Sequence, residues 1–147
     1  MPDNQSDSLL LELTLRADLD VLLGRWLSQP EHQSELRPCY QYLADVAQAT
    51  GCCFWLQDLR RRTSPDHEIK RWLVEEYYPG VARQFGRQLY VAYLFSPDMH
   101  RQIVEAPDYA PAEAYLNKTY LLDFFGNEGE AIQWLQSWQR RTDENKF

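Results

Sequence analysis

The chain lacks the sequence features of several large protein classes. No apolar run approaches the roughly 18 residues that a membrane-spanning helix needs, so we expect no membrane span. The three cysteines are an odd number with two adjacent members, which indicates buried thiols in a reducing cytoplasm instead of a disulfide framework. An excess of positive charge is also missing, because the net charge is -7 and the pI is near 4.9. Nucleic-acid-binding proteins ordinarily carry a basic face, so we expect no nucleic-acid partner.

Motifs that carry catalysis or hold cofactors are missing as well. The sequence contains no G-x-S-x-G elbow, no phosphate-binding glycine loop and no G-x-G-x-x-G fingerprint. Its three histidines lie far apart, and no metal-ligand spacing links them to one another or to the cysteines. Cys52 and Cys53 are adjacent and therefore do not form a redox C-x-x-C pair. We expect a protein without enzyme activity, cofactor or metal.

The chain does contain enough apolar material for one well-packed domain. Hydrophobic residues make up 44% and aromatic residues 14% of its 147 residues. We expect a flexible leader over residues 1–8, a single domain over residues 9–139 and a charged tail over residues 140–147.

Hydrophobic periodicity predicts strands that alternate with helices. The predicted strands cover residues 9–16, 21–27, 52–59, 89–95 and 120–125. The predicted helices run from Ser34 to Thr50, from Ser64 to Pro79-Gly80, from Met99 to Glu105 and from Asn127 to the tail. The first two strands form an antiparallel hairpin, and helical crossovers between the later strands indicate a mostly parallel five-stranded sheet. Gly24, inside the second strand, indicates a bulge or a close backbone contact.

The third strand ends in a single carboxylate and runs into an arginine cluster. Asp58 and Arg60 fall at the carboxyl end of this strand, where open α/β sheets hold their functional groups. One interpretation is a contact with a ligand or partner. The other is a structural pair, in which Asp58 accepts N–H groups from the loop and Arg60 braces it. Two interpretations also apply to Arg61 and Arg62. They bind an anion or an acidic partner helix, or they are surface charges on a solvated loop.

Ser96 and Asn127 follow the fourth and fifth strands and complete this candidate surface. Ser96 suits an N-cap, and Asn127 with Glu130 three residues later resembles a capping box. Capping is the structural interpretation of both side chains, and contact with a partner is the functional one. We expect a protein partner or a second copy of the chain to bind Asp58, Arg60, Arg61, Arg62, Ser96 and Asn127.

The element order, together with four short stretches, resembles the SpoIIAA-like fold of STAS domains, and in particular small stand-alone bacterial STAS-like proteins without assigned activity. The stretches are residues 55–60, 71–79, 91–94 and 130–135. The resemblance implies a SpoIIAA-like, mostly parallel five-stranded sheet with an N-terminal antiparallel hairpin and about four helices. It also implies a non-enzymatic interaction or regulatory module. Anti-sigma-factor antagonists of this family carry a phosphorylatable Ser or Thr after the aspartate at this strand end. Here Leu59 follows Asp58, which departs from that phosphorylation switch.

The aromatic residues leave an alternative function open. Trp72, Trp134 and Trp138 fall on helical core stripes and are predicted to pack against the sheet. The lipid-binding relatives of the same fold imply the alternative, a small apolar-ligand binding protein. Its aromatic-lined cleft would be formed by Tyr109, Tyr115, Tyr120 and Phe125. The exposed edge of the predicted hairpin favours a homodimer on general grounds.

Overall fold

A five-stranded sheet forms the centre of the part of the chain that the structure describes. The structure is a computed structural model, and it describes residues 10–27, 33–62, 67–107, 109 and 118–144. The strands lie side by side in chain order: β1 (Leu11–Arg16), β2 (Val21–Trp26), β3 (Phe54–Asp58), β4 (Leu89–Leu94) and β5 (Tyr120–Phe125). β1 and β2 are antiparallel, and every later neighbouring pair is parallel. This confirms the predicted α/β class, while the predicted leader over residues 1–8 lies outside the described residues.

Four helical segments accompany the sheet within the described residues. They are α1 (Leu36–Thr50), which follows a 3₁₀ turn (Gln33–Glu35); a continuous segment of α2 (His67–Trp72), a π-helical turn (Leu73–Tyr77) and α3 (Tyr78–Phe85); α4 (Pro97–Val104); and α5 (Glu128–Glu144). α1 ends at Gly51, whose φ of 71° is in the left-handed region that favours glycine, as predicted.

The prediction that the second helix ends at Pro79-Gly80 was wrong, because the helical segment continues to Phe85. Proline lacks an N–H group and ordinarily interrupts a helix. Here a π-helical turn comes first, and the N–H of Tyr78 donates to the Leu73 carbonyl. Pro79 then occupies the first turn of α3, where a missing N–H costs least.

α5 continues past the predicted domain boundary at residue 139. The helix extends to Glu144, and the Thr142 hydroxyl donates to the Trp138 carbonyl at 2.8 Å. The Arg141 guanidinium lies 4.5 Å from the centre of the Trp138 ring. The first part of the predicted charged tail is therefore helical.

Side chains of the sheet alternate between two faces, and the helices on the first face pack through aromatic rings. Trp55 of β3 lies 6.4 Å from Tyr77, measured between ring centroids. Tyr40 of α1 lies 4.9 Å from Trp26. Trp72 packs beside Tyr77 at 5.2 Å, which confirms its predicted place against the core.

The second face of the sheet is covered by α5. Trp138 stacks on Tyr90 of β4 at a centroid distance of 5.4 Å, and Trp134 lies 5.7 Å from Phe125 of β5. Both tryptophans therefore pack against the sheet, as predicted.

Candidate functional site

The carboxyl ends of the parallel strands meet at one edge of the sheet, which we call the strand-end edge. Backbone hydrogen bonds continue past the strands here, because Leu59 N–H donates to the Leu94 carbonyl at 2.8 Å and Phe95 N–H to the Phe125 carbonyl at 2.9 Å. The residues that follow β3, β4 and β5 are therefore neighbours in space. The strand-end edge comprises Arg25, Asp58, Arg60, Arg61, Ser96, Asn127 and Glu128.

Asp58 is the centre of the strand-end edge, and its side chain is only 8% exposed. Its Oδ2 atom accepts from Nη1 of Arg25 at 2.9 Å and from Nη2 of Arg60 at 2.7 Å. Its Oδ1 atom accepts from Nε of Arg60 at 3.0 Å and from the Arg60 backbone N–H at 3.1 Å. This geometry confirms the structural pair that the sequence left open, and it adds Arg25 as a second cation.

Two opposing influences set the pKa of Asp58. Burial is the largest of them and raises the pKa, because the charged form loses solvent. The hydrogen bonds from Arg60 and the charges of Arg60 and Arg25 together outweigh burial and hold the pKa below its usual range. Asp58 is therefore ionised at neutral pH, with both oxygens occupied by donors, which is a poor arrangement for a general base.

Arg60 joins the end of β3 to the start of α5. Its Nη2 atom lies 3.2 Å from Oε1 of Glu128 in addition to its bonds with Asp58. The hydrogen bond with Asp58 is the main reason that the pKa of Arg60 is raised. The Arg60 side chain is still 43% exposed, so one side of the guanidinium faces solvent.

The three consecutive arginines do not share one environment. Arg61 is exposed, and its Nη1 donates to the Leu27 carbonyl at 3.3 Å. Arg62 is buried at 5% exposure, and its guanidinium lies 5.2 Å from the centre of the Trp26 ring. The prediction that Arg62 belongs to the surface patch was wrong. The chain turns back where Arg62 N–H donates to the Leu59 carbonyl at 3.0 Å, and this turn directs Arg62 inward.

Polar side chains lie beneath the strand-end edge on the first face of the sheet, and the sequence predictions missed them. Gln57 is fully buried, and its Oε1 accepts from the Trp26 indole N–H at 2.9 Å. The hydroxyls of Tyr78 and Tyr93 are hydrogen bonded to each other. The sequence signal that was missed is a single glutamine, Gln57, inside an otherwise apolar strand. The structure pairs Gln57 in register with Gly24.

Burial keeps these tyrosine hydroxyls neutral. It raises the pKa of Tyr40 to about 12 and the pKa values of Tyr77, Tyr78 and Tyr93 well above the ordinary value. Burial also lowers the pKa of Arg62. The buried tyrosines and Arg62 lie beneath the strand-end edge, and none of them changes its protonation state near neutral pH.

Ser96 and Asn127 cap the helices that follow them. The Ser96 hydroxyl accepts from Met99 N–H at 3.3 Å, and Oδ1 of Asn127 accepts from Glu130 N–H at 3.0 Å. Both capping predictions are confirmed. Ser64, the predicted start of the second helix, lies outside the described residues.

Among the described residues of the predicted aromatic cleft, the structure separates Phe125 from Tyr120. Tyr120 and Phe125 are five positions apart in β5 and therefore point to opposite faces of the sheet. Tyr120 is buried and donates to the Val74 carbonyl at 2.8 Å. Tyr109 lies 6.0 Å from Phe124, and Tyr115 is outside the described residues.

A polar hollow of about 330 Å³ lies at the opposite end of the strands. Gln139 of α5 closes part of it by donating to the carbonyls of Leu19 and Asp20 at 3.0 and 3.1 Å. The polar side chains that line it are Asp18, Asp20, Arg87, Gln136, Gln139 and Thr142. This lining does not match a site for an apolar ligand.

In the described part of the chain, no group of three or more His, Cys, Asp or Glu side chains is arranged to hold a metal ion. None of the helices described combines the length and the apolar composition that crossing a membrane requires. Comparison with family models finds none that matches the chain, and searches of curated proteins and of solved structures likewise return no match.

Proposed function

We propose that this protein is a non-enzymatic, STAS-like interaction or regulatory module that binds an acidic segment of another protein at the strand-end edge. One observation carries the proposal. At this edge, Arg25 and Arg60 pair with Asp58, Arg60 also pairs with Glu128, and Arg61 donates to a backbone carbonyl. The edge therefore carries three guanidinium groups against two carboxylates on a chain whose net charge is -7. A local excess of positive charge on an otherwise acidic protein attracts acidic partners.

The exposure of the arginines supports a binding role. The side chains of Arg25 and Arg60 are 39% and 43% exposed, and Asp58 fixes both guanidinium groups from the buried side. Arg61 is exposed and uses Nη1 on a backbone carbonyl. Guanidinium groups held in place this way present N–H donors that match carboxylates with little loss of side-chain entropy.

Several features support a binding role in preference to a catalytic one. Both oxygens of Asp58 are occupied by arginine donors, and its low pKa makes it a weak proton acceptor. The Ser96 and Asn127 side chains serve as helix caps. The mostly parallel five-stranded sheet with an antiparallel first pair agrees with the architecture that the STAS resemblance implies. Buried thiols support a place in the reducing cytoplasm.

The proposal is tested with a fluorescein-labelled dodecaglutamate peptide and fluorescence anisotropy. We expect Arg61→Glu to weaken peptide binding about fivefold or more, because one favourable charge contact at a rim is worth about 1 kcal/mol. Arg83→Glu is the matched control, since Arg83 is exposed on α3 and the substitution changes the net charge equally. Equal losses in the two variants, or no loss in Arg61→Glu, would contradict the proposed surface.

A further inference from the structure

We propose that the outer edge of β1 pairs with the same edge of a second copy, which gives a two-fold symmetric homodimer with one continuous sheet. This surface lies on the first strand and adjoins the strand-end edge, because Glu12 is paired in register with Arg25. The dimer is measured without any peptide, so its failure and the failure of the proposed function are distinguishable.

β1 is the terminal strand of the sheet in the described part of the chain. Leu27 N–H donates to the Leu10 carbonyl at 2.7 Å, which directs the backbone of Leu10 toward β2. In an antiparallel pair the backbone groups alternate between the two sides of a strand. Leu11, Leu13 and Leu15 therefore turn their N–H and carbonyl groups to the outer edge.

Within the described residues, the outer edge of β1 has no proline, lysine or bulge that would prevent pairing. Natural edge strands are protected by proline, lysine, bulges or a covering element. The six residues of β1 contain no proline and no lysine, and their register with β2 runs without a skipped residue from Leu11 to Arg16. The edge is thus regular enough to accept another strand.

One antiparallel register makes this edge complementary to itself. When Thr14 faces Thr14 of the second copy, Glu12 faces Arg16 of the second copy, and two-fold symmetry repeats the pair. Opposite charges directly across a strand pair are stabilising. On the other face of the strand, Leu13 faces Leu15 of the second copy. Leu15 is 42% exposed, and it is the exposed large hydrophobic residue of the described chain, so this register covers it.

Alternative registers are less favourable. A shift of two residues in one direction places Glu12 opposite Asp18 of the second copy, which brings like charges together. A shift of one residue places Leu13 and Leu15 opposite polar residues of β1 in the second copy. Arg16 is held by Asp18 at 2.9 Å in the single chain, but this pair is exposed at 43% and 64% and is weak enough to rearrange.

The first test is sedimentation equilibrium of the full chain across micromolar concentrations, without any peptide. We expect a reversible dimer, because pairing of one edge buries an area at the small end of specific interfaces. Glu12→Arg places two arginines opposite each other and is expected to weaken the dimer about tenfold. The double variant Glu12→Arg/Arg16→Glu restores opposite charges and is expected to recover most of the affinity. Glu105→Arg, an exposed position after α4, is the charge-matched control.

Three results would overturn the proposal: a wild-type monomer throughout this range, a dimer that Glu12→Arg leaves unchanged, or a dimer that Arg61→Glu breaks instead.

A second measurement, disulfide cross-linking, tests the register without relying on electrostatics. In the proposed register the two Thr14 residues form a non-hydrogen-bonded pair, whose Cα atoms are about 4.5 Å apart. A disulfide spans this distance. Thr14→Cys is expected to form a covalent dimer under mild oxidation, whereas Gln41→Cys, exposed on α1, is not. Equal cross-linking of the two variants also counts against the register.

Discussion

At the scale of single residues, Asp58 links the stability of the molecule to its candidate surface. It is buried, and it holds two arginines whose outer sides face solvent. Its pairing with Arg60 was predictable from the sequence, because the two residues are close along the chain. Arg25 was not predictable, since its contact depends on the register that pairs it with Asp58 across β2 and β3.

We predict that Asp58→Asn lowers the free energy of unfolding by about 1–3 kcal/mol, because it removes the charge that compensates two arginines. This predicted loss of unfolding free energy is smaller than the loss on breaking a fully buried ion pair, since both arginines are partly exposed. Urea unfolding followed by tryptophan fluorescence measures it. Asp45→Asn, on the exposed side of α1, is the control and is expected to change the stability by less than about 0.5 kcal/mol.

We also predict the pH dependence of this effect. The pKa of Asp58 is lower in the folded chain than in the unfolded chain, so its ionised form stabilises the fold. This contribution is complete above the ordinary aspartate pKa of about 4 and is lost as the pH falls through the lower folded value. The difference in unfolding free energy between wild type and Asp58→Asn should be constant from pH 7 to 5 and shrink toward pH 3. A difference that grows on acidification has the wrong sign for this account.

The three cysteines give a prediction about reactivity. Cys39, Cys52 and Cys53 are buried, and burial raises the pKa of Cys52 to about 11 and that of Cys53 above its ordinary value. Because the thiolate is the reactive form, we expect Ellman's reagent at pH 8 to modify them at least about a hundredfold more slowly than a small-molecule thiol. In denaturant all three should react at the ordinary rate. Rapid modification of the native chain would show that a thiol is accessible.

At the scale of elements, Gly24 shows how β2 accommodates a buried polar side chain from β3. A Cβ atom at Gly24 would lie 2.9 Å from Nε2 of Gln57, which is too close for an unshifted contact. The sequence indicated a bulge or a close backbone contact at this glycine, and the structure has no bulge there but a close contact with the Gln57 side chain, which only the register of the two strands reveals. The helix that passes Pro79 is a similar case, since a local π-helical turn changed the outcome that proline alone predicts.

We predict that Gly24→Ala lowers the free energy of unfolding by about 1–3 kcal/mol, because the methyl group displaces Gln57 from its bond with Trp26. Gly80→Ala is the matched control. Its Cβ would meet Arg83 Nη2 at 3.9 Å inside a helix, so alanine should be neutral or stabilising by up to about 1 kcal/mol. Thermal and urea unfolding of the two variants measure the difference. Similar effects at both positions would show that Gln57 is not tightly held.

At the scale of the whole molecule, alternating strand and helix patterns predicted a mostly parallel five-stranded sheet with an antiparallel first pair. The order of the strands, which follows chain order, was not predicted. The same patterns placed the ends of β3, β4 and β5 at one edge. They did not separate Arg62 from Arg61, because neither the local turn from Leu59 to Arg62 nor the packing of Arg62 over Trp26 leaves a periodic pattern in the sequence. They also placed the aromatic residues of β5 in one cleft, whereas strand alternation separates them.

Residue-resolved NMR shows whether the strand-end edge is the binding surface. The ¹⁵N-labelled protein would be titrated with the dodecaglutamate peptide. We expect saturable chemical-shift changes confined to the backbone amides at Arg25, Arg60 and Arg61 and their neighbours along this edge, with loss of these changes in Arg61→Glu. Shifts centred on another surface, or no saturable shifts at millimolar peptide, would contradict the account.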